Sequence, residues 1–239
     1  MTFVPVDQRG YAHPELLAET DWLAAHLEDP RLRVVDARGP QDYSAGHIPG
    51  ALSLDGFGTG IPRAANRDMG SAEEFSQVAG ELGIRKDMTV VVYDEPSQRI
   101  GMVAWTFLYY GHQDVRILDG GLEKWSGEGR PVSTAAVSYP IATYAGKPAD
   151  GIYCSLGHAK AGQAMSDFVF WDTRSLSEYE GTASSAAGAL TRLGHIPGAI
   201  HLEWTDLFDP DTKTLKAAAD LRQLLASKGI TPEMEIATY

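Results

Sequence analysis

One hexapeptide is written twice in this chain. Gly46-His47-Ile48-Pro49-Gly50-Ala51 returns unchanged as Gly194-His195-Ile196-Pro197-Gly198-Ala199. An identical turn at a separation of about one small domain points to an internal duplication, so the chain must fold as two like halves. The surroundings repeat in the same order. Val34-Val35-Asp36-Ala37-Arg38 precedes the first turn and Phe170-Trp171-Asp172-Thr173-Arg174 the second. Each is an apolar run ending in a charged tip, the pattern of a buried strand whose C-terminal end meets solvent. Gly83-Ile84 through Tyr93 is echoed by Gly229-Ile230 through Tyr239, with a methionine and a tyrosine at matching places.

Between these strands the spacing predicts helices. Residues 20–27 form an amphipathic stretch that Thr20 is expected to cap, with Trp22, Leu23, His26 and Leu27 on one stripe. Residues 41–45 read as a short helical turn. Ser71 with Glu74 forms a capping box ahead of Phe75, Val78, Ala79 and Leu82. Ile100, Val103, Ala104, Phe107 and Leu108 mark another helix, and residues 122–125 a short one. Residues 215–228 are expected to repeat the capped helix, with Ala217, Ala218, Leu221, Leu224 and Leu225 facing inward. Strands alternating with helices predict an α/β fold, a parallel sheet covered on both faces in each half. Residues 1–131 read as the first domain, 132–167 as a Ser-, Ala-, Gly- and Pro-containing linker with a small helix near 159–165, and 168–239 as the second domain. The copies differ chiefly by an insertion between Glu180 and Leu193.

Composition narrows the function classes. A net charge of −12 repels phosphate backbones and anionic lipid, so nucleic acid and membrane are not expected partners. A single cysteine, Cys154, cannot form an internal disulfide or a cysteine-based zinc site. No leader and no membrane-spanning run is visible, and a cytoplasmic protein is the expectation.

In parallel α/β sheets, sites form at the C-terminal ends of strands. Asp36 and Arg38, the 46–51 turn and the 94–98 loop converge there in the first half. A loop running into a helix N-terminus presents backbone N–H groups that hold an anion or activate a thiol at its first position. That position is Asp94, a poor sulfur nucleophile whose charge repels anions. The first half is therefore expected to be unreactive.

The paired Asp-x-Arg strands, the doubled turn, Leu118-Asp119-Gly120-Gly121 with Trp125 behind it, and Leu202-Glu203-Trp204-Thr205 resemble a tandem-domain rhodanese of the bacterial thiosulfate or 3-mercaptopyruvate sulfurtransferase type. The resemblance runs from about residue 20 to Tyr239 apart from the linker. It implies two rhodanese-like domains, a silent N-terminal domain with aspartate at the nucleophile position, and a C-terminal catalytic cysteine opening a six-residue loop directly after Tyr239. No such cysteine is in this sequence, so an inactive fragment, a clipped chain or an unobserved tail is the expectation. The implied partners are a small anionic sulfur donor and a thiophilic acceptor, with no metal or other cofactor. Asp172, Arg174, Arg192, His195 and Trp204 are the residues placed to bind substrate or support the site. Asp94, Asp36 and Arg38 form the silent counterpart. Mammalian-type relatives have an arginine where Glu178 stands, so no anion-binding role transfers there.

Ordinary structural roles compete with each assignment. Asp36 and Asp172 suit loop-holding by accepting N–H bonds, His47 and His195 suit turn stabilisation, and Arg174 suits an ion pair. Trp204 suits core filling, and Cys154 a bystander role. Two other functional readings follow from the sequence: a catalytically silent module that binds a partner or small anion, and redox chemistry at Cys154.

Overall fold

The computed structural model describes residues 4–54, 69–95, 98–184 and 192–239. Pro96 and Ser97 of the first loop, and residues 185–191 of the insertion, lie outside the described residues. The chain divides into two compact units, Met1–Ile152 with Pro210–Thr214, and Tyr153–Asp209 with Leu215–Tyr239.

The first unit runs β1 (Leu17–Ala18), α1 (Thr20–His26), β2 (Leu32–Asp36), α2 (Pro40–Ala45), β3 (Leu52–Ser53), α3 (Ala72–Glu81), β4 (Thr89–Tyr93), α4 (Gln98–Tyr109), β5 (Val115–Leu118) and α5 (Gly121–Gly127). Its sheet is parallel throughout, in the order β1-β5-β4-β2-β3. β4 is central, and Val90, Val91 and Val92 are fully buried. Alternate residues of a strand face opposite sides, so β2 and β4 feed two cores. Val35, Val90 and Val92 join Phe75 and Ala79 of α3 and Val103 and Phe107 of α4. Val34, Val91 and Tyr93 join Leu23 of α1 and Trp125 of α5. Each fully buried valine contributes about 1.5–3 kcal/mol relative to exposure, so this three-residue run anchors the unit.

Two helix starts bear on the expectations. The box at Ser71 forms: its hydroxyl accepts from Glu74 N, and Glu74 Oε2 accepts from Ser71 N. Thr20 does not cap α1, whose N-cap is Glu19. Thr20 is instead buried in the first turn, where its Oγ1 accepts from Lys124 Nζ at 2.7 Å.

The polar stretch after α5 lies along the first unit. His47 and Ser133 exchange two backbone hydrogen bonds, Ala142 N donates to Gly80 O, and Lys147 N donates to Tyr110 O. Gly80 sits inside α3 because a Cβ there would lie 2.5 Å from the Ala142 carbonyl oxygen. Tyr139 places its ring 3.8 Å from the Arg33 guanidinium carbon.

The second unit contains α6 (Leu156–Gly162), β6 (Phe168–Asp172), α7 (Leu176–Tyr179), β7 (Ile200–His201), α8 (Ala218–Ser227) and β8 (Glu235–Thr238). Its parallel sheet has the order β7-β6-β8. The register repeats that of the first unit: Asp36 pairs with Ser53 and Asp172 with His201, while Arg33 pairs with Val90 and Val169 with Ile236. Phe170, Ala199 and Ala237 form its buried cluster. Two helices fall elsewhere than their patterns suggest. α6 begins at Leu156 because Ser155 caps it, accepting from His158 N. α8 begins only at Ala218, with no side-chain cap, and Leu221, Leu224 and Leu225 are half-buried.

Candidate functional site

Asp36 ends β2, and Arg38, two residues on, folds back onto it. Arg38 Nε lies 3.0 Å from Asp36 Oδ1 and Nη2 2.7 Å from Oδ2, a forked pair that suits the planar guanidinium. The Arg38 backbone N–H donates to Oδ1 as well, at 3.0 Å. The same Nη2 donates to the Gly46 carbonyl at 2.6 Å, which ties the strand tip to the turn. Tyr93, at the end of β4, completes the knot. Its hydroxyl donates to Asp36 Oδ2 at 2.7 Å and accepts from Ile48 N at 3.1 Å. Burial and the Asp36 charge together push the Tyr93 phenol far up, so it stays a donor.

The second unit repeats this arrangement residue by residue. Arg174 Nε and Nη2 reach Asp172 Oδ1 and Oδ2 at 3.0 and 2.5 Å, and Nη2 donates to Gly194 O at 2.9 Å. Ile196 N donates to the Tyr239 hydroxyl at 3.0 Å. Burial pushes the Asp172 carboxyl up, but hydrogen bonds from Arg174 and Tyr239 outweigh it and hold the group below the usual carboxylate range. The hydrogen bond to Asp172 raises the Arg174 guanidinium in turn. His195 Nδ1 donates to Tyr179 O at 2.7 Å and its ring stacks on Tyr179 at 3.7 Å, as His47 does on Tyr43 at 2.8 and 3.9 Å.

Asp172, Arg174, the His195 turn and Tyr239 thus converge at the C-terminal ends of β6 and β8. Trp204 joins them through its backbone, donating to Thr173 O at 3.0 Å, while its ring lies edge-on to Phe208. Arg192 is exposed just ahead of the turn and makes no ion pair among the described residues. In the first unit Asp94 follows Tyr93 and is buried, its carbonyl accepting from Leu122 N at 3.1 Å. Gly121 has positive φ, and any Cβ there would strike the Asp94 carbonyl. Glu178 has a local duty: its Oε2 accepts from Ser175 Oγ at 2.8 Å in a capping box that starts α7.

Arg38 Nη1 also pairs with Glu95, two residues after Tyr93, at 3.3 Å. Two residues missed in the sequence also stand at the second tip. Thr173 Oγ1 donates to the Tyr239 carbonyl at 3.0 Å, and His201 Nε2 lies 2.9 Å from the Arg174 carbonyl. The first copy has Ala37 and Ser53 at these places, so the available signal was the difference between the copies rather than their identity.

Cys154 is half-buried against the second unit's core, and burial followed by the nearby Glu235 charge raises its thiol. Glu235 begins β8, at the opposite end of that strand from Tyr239. No cluster of three or more His, Cys, Asp or Glu side chains suited to a metal occurs among the described residues, and no helix there is long and apolar enough to cross a membrane.

Comparison with known proteins bears on this doubled arrangement. Residues 19–128 match the rhodanese-like domain. The sulfur carrier protein TtuD of Thermus thermophilus is 38% identical over 96% of this chain and 84% of its own length. The thiosulfate sulfurtransferase of Azotobacter vinelandii is 36% identical over 96% of this chain and 83% of its own. Among solved structures, the 3-mercaptopyruvate sulfotransferase SseA of Escherichia coli superposes with a TM-score of 0.78 at 25% identity, covering 93% of this chain and 87% of that one. With two parallel-sheet units built on one repeated tip-and-turn motif, and with these relatives matched along nearly its whole length, the chain belongs to the rhodanese family of sulfurtransferases.

Proposed function

We propose that the second unit is the sulfur-transfer site, that its donor is a small anion such as thiosulfate, and that the first unit is catalytically silent. The observation that carries this reading is the repeated tip: Tyr239, Asp172 and Arg174 stand as Tyr93, Asp36 and Arg38 do, and in the first unit the loop that follows opens with the buried Asp94 in place of a thiol. The Arg174 guanidinium, fixed by the Asp172 carboxylate, is the cation offered to an oxyanion donor. Asp94 and Glu95 put two carboxylates at the first unit's counterpart and disfavour an anion there.

The reacting thiol belongs directly after Tyr239, the place Asp94 takes after Tyr93. Its thiolate attacks the outer sulfur of thiosulfate, a new S–S bond forms, the old S–S bond breaks, and sulfite leaves with the electron pair. A thiophilic acceptor such as cyanide then attacks the terminal sulfur and leaves as thiocyanate, returning the thiolate. 3-Mercaptopyruvate is the alternative donor, its carboxylate meeting the same guanidinium. Cys154, with its raised thiol pKa and its place by the start of β8, is not the nucleophile.

Intact-mass measurement after thiosulfate treatment tests the reading. The protein carried through whatever follows Tyr239 in its reading frame is expected to gain one cyanide-labile sulfur atom. The chain of residues 1–239 is expected to gain none. A cyanide-labile sulfur on Cys154 would overturn the assignment.

A further inference from the structure

The polar segment that follows α5 finishes its path along the first unit in residues 142–149, and one aromatic side chain there enters the core. Tyr144 is 5% exposed, packed edge-on to Phe75 of α3 at 5.7 Å and stacked on His112 at 5.8 Å with the rings 3° from parallel. His112, just past the C-terminal end of α4, is 2% exposed, and Phe107 meets it edge-on at 5.7 Å. Three hydrogen bonds fasten the segment on either side of this stack. Ala142 N donates to Gly80 O at 2.9 Å, Gly146 N to Ser76 Oγ at 2.9 Å and Lys147 N to Tyr110 O at 3.0 Å.

His112 Nε2 lies 2.8 Å from the Met88 carbonyl, which only accepts, so Nε2 carries the proton and Nδ1 is the bare acceptor of a neutral ring. Neither that Nδ1 nor the Tyr144 hydroxyl has a hydrogen-bond partner among the described residues, and both are buried. A second proton on Nδ1 would make a buried cation whose new N–H meets no acceptor there, adding an unmade bond to the cost of desolvation. Burial accordingly holds the His112 pKa below its ordinary value, against the Met88 bond and the Asp114 charge. The charged groups around the ring are Asp114 on its own loop and Lys86 and Asp87 on the turn before β4; the carboxylates favour the cation and Lys86 opposes it. The rings packed on it are uncharged: Phe107 of α4, and Tyr144, whose phenol burial pushes far up.

We propose that the His112–Tyr144 stack is a pH-sensitive latch: residues 142–149 stay fastened while His112 is neutral and come free when its ring takes a second proton and must reach solvent. The linkage has one sign. With the folded value below the free one of 6.5, the fastening is fully present above that pH and is lost as pH falls through the folded value. The main stretch of the first unit ends at Ile152, so release adds residues 142–149 to the tether that leads into the second. The latch uses no residue of the proposed sulfur-transfer site and stands independently of that reading.

Amide exchange of Ala142 and Lys147 in the full chain tests this, measured from about pH 7.5 to about pH 5.5, corrected for intrinsic exchange and referred to the amides of β4. In wild type the protection of both is expected to fall several-fold relative to β4, with about tenfold the ceiling for one proton taken up one pH unit below the free value. His112→Gln, which keeps an N–H for the Met88 carbonyl but cannot take a proton, is expected to abolish that acid dependence. Tyr144→Phe deletes the unpartnered hydroxyl and keeps the ring, so protection at about pH 7.5 is expected to be equal or higher. Should His112→Gln fail to fold, NMR of the wild-type His112 ring decides: it is expected to titrate below 6.5, in step with the exchange of the two amides. Protection that does not change with pH, an acid dependence that survives in His112→Gln, a His112 ring titrating above 6.5, or lowered protection in Tyr144→Phe would each overturn the latch.

Discussion

Arg38 Nη2 lies 2.7 Å from Asp36 Oδ2, and Arg174 Nη2 lies 2.5 Å from Asp172 Oδ2 at the same station of the duplicated motif. The same fork ties each strand tip to its glycine turn, through the Gly46 and Gly194 carbonyls.

Removing either arginine tests the fork. Arg38→Ala leaves Asp36 as a buried charge without its cation and is expected to destabilise the first unit by about 3–5 kcal/mol. Arg174→Ala leaves the buried Asp172 in the same state and is expected to destabilise the second unit as well. Denaturant unfolding of the two variants checks both, and no loss in either would contradict the expectation.

The tyrosine hydroxyls offer a finer probe. Tyr93→Phe deletes a donor to Asp36 and an acceptor for Ile48 N, both buried, and is expected to cost about 1–3 kcal/mol. Tyr239→Phe removes the acceptor of Ile196 N in the second unit and is expected to be destabilising as well. An unchanged thermal unfolding midpoint for either variant would contradict this.

Acid sensitivity follows from two carboxylates. Burial disfavours the charged form of Glu128, but hydrogen bonds from Lys124, Thr20 and Arg130 prevail and bring its pKa to about 2. A depressed folded pKa means that the stabilisation is present above the unfolded value, about 4.3, and is lost as pH falls through the folded one. Glu128→Gln should thus lower stability at pH 7 by about 1 kcal/mol, solvent screening limiting the loss. The difference from wild type should close as pH falls toward about 2. Asp172, also held below the usual range, has the same sign: Asp172→Asn should be destabilising at neutral pH and converge with wild type in acid. Tm measured across pH reads both.

Gly121 tests the silent loop's packing. Its φ is +57°, and a Cβ would collide with the Asp94 carbonyl. Gly121→Ala is expected to destabilise the first unit by more than the ~1 kcal/mol of conformational cost alone. A neutral effect in thermal unfolding would show that the 94–95 segment relaxes freely.

Much of the architecture was legible because it was written twice. The strands ending in Asp36 and Asp172, the two Gly-His-Ile-Pro-Gly-Ala turns and the matched tyrosines all fall in equivalent places, since buried parallel strands and glycine turns leave strong local patterns. Helix starts were less legible. Thr20 has the chemistry of a cap but is drawn into the core to meet Lys124, a tertiary contact no local pattern contains. The polar stretch after Trp125 has a loop's composition, yet its backbone pairs with His47, Gly80 and Tyr110, partners 30 or more residues away. At the site, the repeat drew the eye to what is shared, Asp172, Arg174 and His195. Thr173 and His201 stand where the copies diverge, and their meaning depends on carbonyl directions that only the fold defines.

The central claim, that the second unit holds the working sulfur-transfer site and Arg174 supplies its cation, is tested most directly by thiocyanate formation from thiosulfate and cyanide. The assay uses the protein carried through the residues that follow Tyr239 in its reading frame. Wild type and Glu95→Gln are expected to turn over alike, and Arg174→Ala to lose about a hundredfold in kcat/KM, the scale of a lost charge-assisted contact in a site. Turnover by Arg174→Ala at the wild-type rate, or none by wild type, would contradict the account.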